Sequence, residues 1–315
     1  METGANNYRD VALALGELQS EARKPVLLHS IYARQRREAF EALRDAGVPL
    51  FSSLEIAARA FRALVEHGKN RSRRPLAELE KTECRDGVLA PYASRAREEG
   101  RAVLLEPEAW AWLRDLGLPV PPHCWARTAE EAIAFATAST TPVALKLVSA
   151  AILHKSDVDG VRLGLDDASA VRSAFEALQE AAEERGADFR GALVVPMAGP
   201  GVDVAVGVAR SDLGGHFLLF AAGGTGIEAL DDVAVRPAPV SETDAAEMVE
   251  ETLSGRLLRN PRSIAPPPLR PLYDLMMGLS RALAGSTLAS AVDLNPVRVG
   301  EDGVAVLDAR VILTS

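Results

Sequence analysis

The chain is poor in the residues that staple, stack or span. Cysteine occurs twice in 315 residues, at Cys84 and Cys124. Two cysteines so far apart have neither metal-ligand spacing nor the density of a disulfide framework, which points to a reducing compartment. Aromatic residues make up 5% of the chain and the formal net charge is −9. That balance argues against a base-stacking platform and against a non-specific nucleic-acid surface. No apolar run approaches the roughly 20 residues that cross a bilayer, and the N-terminus does not read as a signal peptide. The expectation is a cytoplasmic protein that binds neither membrane nor nucleic acid.

The bulk composition is that of a soluble globular chain, with 48% hydrophobic and 25% charged residues, long enough for two or three domains. Residues 1–67 alternate helices with short apolar strands, PVLLH at Pro25–His29 and VPLF at Val48–Phe51. Such alternation implies a parallel sheet. Two strands cannot close a core, so this piece reads as part of a larger α/β unit completed by another chain or by further sequence. Residues 68–104 begin with the basic, turn-rich GKNRSRRP and read as a linker. Residues 105–315 form the third piece, in two parts of about 105–190 and 191–315. Glu106–Leu116 opens it as a helix.

Val143–Leu165, VALKLVSAAILHKSDVDGVRLGL, organises that third piece. Val143–Val148 alternates as a strand, with Val143, Leu145 and Leu147 on one face and Ala144, Lys146 and Val148 on the other. An unpaired buried ammonium costs about several kcal/mol. Lys146 therefore faces an anion or a wet cleft, or else the strand is an edge and the lysine points to solvent. The loop after it carries His154, Lys155, Ser156, Asp157 and Asp159 and ends at Gly160 before a return strand, Val161–Leu165. Further on, AAGGTGIEALDDVAVR holds glycines that let backbone amides approach a ligand, together with Glu228 and Arg236. At the C-terminus, a hairpin turning about Glu301 and Asp302 sets Asn295 opposite Asp308 and Asp293 opposite Arg310. Directly opposed residues have Cβ atoms about 4.5–5.5 Å apart. Asn295 and Asp308 are then either two oxygen ligands of one hard cation such as Mg²⁺ or a hydrogen-bonded pair on a solvated face.

These stretches resemble the ATP-grasp portion of ADP-forming acyl-CoA synthetases, the acetate–CoA ligase (ADP-forming) family related to succinyl-CoA synthetase. PVALKLVSAAILHKSDVDGVRLGL is similar to that family's strand-lysine and HKxDxGGV signature, and VDLNPVRV with VLDARVIL to its closing strands. KPVLLHSIYARQRREAFEALRDAGVPLF resembles the end of the flavodoxin-like ligase domain that precedes the ATP-grasp unit in fused members. The resemblance implies an α/β chain with an ATP-grasp fold of two α+β subdomains behind a partial flavodoxin-like unit. It implies ATP or ADP with Mg²⁺ as ligands, Lys146 and Lys155 near the phosphates, and Gly160 closing the loop over them. Val195 and Met197 would lie at the adenine hinge, with Asp203 where glutamate is usual. Glu228 and Arg236 would line the phosphate side, and Asn295 and Asp308 would hold the metal. His154 would take or relay a phosphoryl group, a reaction open to a neutral imidazole.

Three departures bear on activity. Asp159 stands where the family has the first of two glycines, and its charge would repel bound phosphates. Pro196 removes an N–H from the hinge. The CoA-binding domain and the segment with the family's principal phosphohistidine are absent from these residues. The implied function is the nucleotide-binding part of an ADP-forming acyl-CoA synthetase, acting on a small carboxylic acid with a CoA-binding ligase subunit in a hetero- or homo-oligomer. The alternatives are a non-catalytic nucleotide-sensing module, or another ATP-grasp carboxylate ligase.

Overall fold

A computed structural model describes residues 5–22, 24–31, 37–72, 85–152, 155–212, 214–224, 232–259 and 266–314. The chain divides into two compact units, Met1–Glu80 and Lys81–Ser315.

In the first unit, helix α1 (Ala5–Ala22), strand β1 (Leu28–His29), helix α2 (Arg37–Asp45), strand β2 (Leu50–Phe51) and helix α3 (Leu54–Ser72) follow in order. The two strands pair in parallel, Leu28 beside Leu50 and His29 beside Phe51. Among the described residues of this unit, only Ala12, Val48 and Ala57 are buried apolar side chains. Val11, Leu13, Leu18, Leu54, Phe61 and Leu64 are exposed. The parallel pair is thus too small to bury the apolar surface its own helices carry.

Of the stretch expected to be a partly helical linker, 68–104, the described residues are 68–72 and 85–104. Helix α3 continues through Gly68 to Ser72. Helix α4 (Asp86–Glu98) buries Leu89, Ala93 and Ala96 in the core of the second unit. Those three positions recur at helical spacing on one face. Two of the three are alanines set among charged residues, which makes the stripe a weak signal.

The second unit continues with α5 (Glu106–Asp115), β3 (Cys124–Ala126), α6 (Ala129–Ala138), β4 (Val143–Leu147), β5 (Val161–Leu165), α7 (Ala168–Glu183) and β6 (Ala192–Pro196). Then come β7 (Val202–Arg210), β8 (His216–Ala222), β9 (Val233–Pro237), α8 (Glu242–Glu251), α9 (Leu253–Arg259), α10 (Arg270–Leu283), β10 (Ala289–Gly300), β11 (Gly303–Val306) and β12 (Ala309–Leu313). The smaller sheet has the order β3-β6-β4-β5, and the larger runs β11-β10-β7-β8-β9 with β12 also on β10. Every pairing in both sheets is antiparallel.

The alternation in β4 divides two cores. Val143, Leu145 and Leu147 pack with Val171, Phe175 and Leu178 of α7. Ala144 and Val148, on the other face, join the main core with Leu193 and Val195. In that main core Val206, Val208, Leu218 and Phe220 of the larger sheet meet Leu272, Leu275, Met276 and Leu279 of α10.

A division was expected at about residue 190, and the strand just beyond it pairs backwards. Strand β6 pairs with β3 and β4 and so belongs to the smaller sheet. The residues before α5 bind the larger one, through Leu104 N–H to Val311 O at 3.1 Å and Leu313 N–H to Ala102 O at 2.8 Å. Long-range pairing, which chain order does not report, decides both assignments.

Candidate active site

Lys146 sits in the middle of β4 and is buried. Its Nζ donates to Glu106 Oε1 at 2.7 Å and to the Leu307 carbonyl, and lies 3.6 Å from Asp308 Oδ1. It also stands 5.4 Å from the centre of the Trp110 ring. The anion that a buried strand lysine demands is therefore Glu106, the first residue of α5, whose side chain is 3% exposed. The second oxygen of Glu106 accepts from Lys155 Nζ at 2.5 Å, and Lys155 also donates to Asp308 Oδ1 at 3.1 Å. Two ammonium groups and two carboxylates from four chain segments converge in one cluster.

The electrostatics follow from burial and mutual charge. Burial and the neighbouring Asp308 push the Glu106 carboxyl above the usual range, against Lys146 and Lys155. Burial alone would raise Asp308 as well, but Lys155 and Lys146 outweigh it and hold that carboxyl well below the usual range. Desolvation works against the charge on Lys155, but Glu106 and Asp308 outweigh it and raise its ammonium above the usual lysine range.

Glu106 was not among the residues singled out from the sequence. A carboxylate in the first turn of a helix looks like an ordinary partner of the helix dipole. One signal was available. Glu108 already takes the end of the helix, accepting from Leu105 N–H at 2.9 Å, so Glu106 had no capping role. Glu108 also forms a buried bidentate pair with Arg101, at 2.8 and 3.1 Å, which fixes the head of α5.

The loop over the cluster is held at both ends. Lys155–Val158 forms one 3₁₀ turn, Gly160 N–H donates to Lys155 O at 2.8 Å, and Gly160 O accepts from Leu147 N–H at 2.9 Å. At the other end Asp188 accepts from Ser149 Oγ at 2.8 Å and Ala150 N–H at 3.0 Å. Asp159 takes the left-handed conformation, φ 55°, that the family's glycine would adopt freely. Its carboxylate is 79% exposed and pairs with Arg162 at 2.6 Å. The charge expected to repel phosphates faces solvent instead. His154 and Glu228 lie outside the described residues.

The C-terminal register is as expected. Asp293 lies opposite Arg310, Leu294 opposite Ala309 and Val297 opposite Val306. Asn295 and Asp308 fall at the break between the two ladders. Asn295 Oδ1 accepts from Gly224 N–H at 3.0 Å, which ties the glycine-rich loop to β10. Asp203 is held by Arg298 at 2.6 and 2.9 Å across the β7–β10 pair. Val195 is buried, and Met197 N–H donates to Pro142 O at 2.8 Å. With Pro196 between them, the stretch expected as the hinge has neither the 196 nor the 197 amide free for a ligand.

Arg236, expected on the phosphate side, is held by α8. It lies beside Leu218 across the β8–β9 pair and reaches Glu251 Oε1 at 2.5 Å and Glu247 Oε2 at 3.9 Å on α8. Buried Leu218 marks that face as the one packed into the core. The strict alternation of β9 turns Arg236 toward the helix.

The family described as ATP-grasp domain matches residues 95–313. The chain belongs to the ATP-grasp family. Over 221 residues it is 36% identical to the beta subunit of acetate–CoA ligase [ADP-forming] II of Pyrococcus furiosus, covering 68% of this chain and 93% of that subunit. The 4-hydroxybutyrate–CoA ligase [ADP-forming] of Nitrosopumilus maritimus is 27% identical over 313 residues, 98% of this chain but 45% of that longer protein. Among solved structures, the dinucleotide forming acetyl-coenzyme A synthetase 1 of Ca. Korarchaeum cryptofilum, in complex with coenzyme A, Ca-AMPCP and HgCl⁺, superposes with a TM-score of 0.67 at 35% identity. That match covers 73% of this chain and 99% of the other. The same synthetase with coenzyme A and Mg-AMPPCP, its phosphohistidine segment pointing towards the nucleotide binding site, gives a TM-score of 0.63 at 34% identity over 71% of this chain and 99% of the other.

In this ATP-grasp chain the donors suit a hard cation. Mg²⁺ is commonly held by one or two carboxylates and completes its shell with substrate phosphates and water. Asp308, 41% exposed, has the carboxylate for that role, and the Asn295 amide oxygen stands at the same break in the ladder. Among the described residues there is no cluster of three or more His, Cys, Asp or Glu side chains that could hold a metal. A metal arriving with its nucleotide requires no such cluster. No helix among the described residues is long and apolar enough to cross a membrane.

Proposed function

We propose that this chain is the nucleotide-binding, beta-subunit part of an ADP-forming acyl-CoA synthetase. The net reaction is acyl-CoA + ADP + phosphate ⇌ carboxylic acid + CoA + ATP. The observation that carries the reading is the convergence of Lys146, Lys155 and Asp308, drawn together from β4, the loop after it and the closing hairpin. Phosphoryl transfer depends on positioned positive charge more than on covalent help from the protein. In this reading Lys146 and Lys155 bind the nucleotide phosphates and Gly160 shapes the loop over them. Val195 and Met197 border the base through apolar surface and carbonyl oxygens, and Asp203 holds Arg298, which also reaches the Gly199 carbonyl. Asn295 and Asp308 hold Mg²⁺, which when bound neutralises and orients the phosphates. His154 carries the phosphoryl group between nucleotide and a partner subunit that binds CoA and a small carboxylic acid. Glu228 stays within this proposal as a loop carboxylate at the phosphate end. Arg236 does not, since its guanidinium is engaged by α8.

The test is a thermal melt with and without Mg-ADP or Mg-ATP, followed by labelling with γ-³²P ATP. A ligand selective for the folded state adds about 2.7 kcal/mol at a hundredfold excess over Kd, so a clear rise in melting temperature is expected. Label on the chain should be acid-labile, base-stable and lost in His154→Ala. No melting shift at millimolar nucleotide would sink the proposal. A shift without label, in the presence of the partner subunit, would reduce the chain to a nucleotide sensor.

A further inference from the structure

The cluster holds one carboxylate more than a phosphate site requires. Glu106 and Asp308 both bind the lysines, yet their settings differ. The Glu106 side chain is 3% exposed and the Asp308 side chain 41%. Glu106 sits on the first turn of α5, whose head is locked by the buried Arg101–Glu108 pair. Asp308 sits in the short break between β11 and β12. Glu106 gives one oxygen to each lysine, at 2.7 and 2.5 Å, while Asp308 meets both through Oδ1 alone, at 3.6 and 3.1 Å.

We propose that Glu106 is a positioning residue that permanently anchors Lys146 and Lys155, and that Asp308 is their exchangeable partner, standing where nucleotide phosphate binds. The proposal rests on the nucleotide reading above. Charge balance gives its logic. Without nucleotide, two ammonium groups face the carboxyls of Glu106 and Asp308, which also touch each other. A polyphosphate that takes the donors now spent on Asp308 leaves that carboxylate without its cations, and a divalent ion arriving with the nucleotide replaces them. Glu106 cannot exchange in the same way. Its side chain is all but buried, and it keeps the two like charges converged so that their remaining N–H groups meet one anion. Metal dependence then has two sources in this chain, the metal's hold on the phosphates and the freeing of Asp308.

The two carboxylates therefore have opposite signatures in nucleotide binding, measured by calorimetry on the full chain with ATP, ADP and AMP, in Mg²⁺ and in EDTA. Glu106→Gln should weaken ATP and ADP about tenfold or more in both conditions, the loss of one charge-assisted hydrogen bond, and change AMP little. Asp308→Asn should bind ATP more tightly than wild type in EDTA and less tightly in Mg²⁺. Melting curves establish that each variant is folded. Should Glu106→Gln not fold, the half-exposed Asp308 variant still decides: ATP binding in EDTA no tighter than wild type overturns the exchange. Equal weakening of AMP and ATP in a folded Glu106→Gln protein would make Glu106 merely structural and overturn the anchoring. Wild-type protein that binds no nucleotide would instead refute the reading on which the inference stands.

Discussion

Lys146 shows how one buried charge organises its surroundings. Removing one partner of a buried ion pair costs about 3–5 kcal/mol, because the other is left uncompensated. Lys146→Met should destabilise the protein by that amount, since Glu106 then shares only Lys155. Adding Glu106→Leu should recover much of the loss in urea denaturation, yet neither variant should bind Mg-nucleotide. Full nucleotide affinity in the double variant would exclude Lys146 from the site. Asp188 allows a second test. Burial would raise its carboxyl, but hydrogen bonds from Arg190, Ser149 and Ala150 hold it at about 2, against an ordinary 3.8. A carboxyl lowered on folding stabilises above its unfolded value and loses that contribution as pH falls through its folded value. The difference in urea midpoint between wild type and Asp188→Asn should be constant above pH 4 and disappear toward pH 2. A difference that persists unchanged to pH 2 would rule out these hydrogen bonds as its origin.

At the scale of single elements, the glycine-rich loop is set by a close approach at Gly223. Its N–H donates to Asp203 O at 2.9 Å, and a Cβ placed there would stand 2.5 Å from Val204 N and 2.6 Å from Asp203 C. Both neighbours are backbone and cannot swing aside. Overpacking of this kind costs about 1–3 kcal/mol. Gly223→Ala should therefore lower the urea midpoint and also weaken nucleotide binding, because Gly224 N–H loses its register with Asn295 Oδ1. Unchanged stability would mean that the loop entry is free to relax. Asp159 shows the opposite tolerance. It occupies a left-handed position without glycine, with its charge paired to Arg162 in solvent, so the departure from the family's double glycine leaves the inward face of the loop uncharged at that residue.

For the whole molecule, the core clusters of the second unit lie entirely within residues 89–313. Residues 81–315 alone should unfold in one cooperative transition and bind Mg-nucleotide as the full chain does, a comparison for calorimetry on both. A fragment that melts broadly or binds nothing would show that the second unit depends on residues 1–80. The first unit has the converse property. Its parallel pair is two residues per strand, and Leu13, Leu18, Phe61 and Leu64 remain exposed. The match of 98% of this chain to 45% of the Nitrosopumilus ligase includes that unit.

The amino-acid sequence by itself determined the local architecture. Period-two alternation placed Lys146 on the face of β4 shared with Ala144 and Val148, and the turn at Glu301 and Asp302 set Asp293 opposite Arg310, as found. Those are short-range properties, carried by strand pleat and turn geometry. From the sequence Lys146 had to meet an anion, a wet cleft or solvent, because an unpaired ammonium is costly to bury. Only the tertiary structure decided which one. Glu106 lies 40 residues away in the chain, Asp308 lies 153 residues from Lys155, and neither spacing carries a periodic signal. The same holds for Arg236, whose charge suggested a phosphate while its strand face committed it to α8. Which charges meet depends on how sheets and helices stack, and that is set by the burial of the whole core.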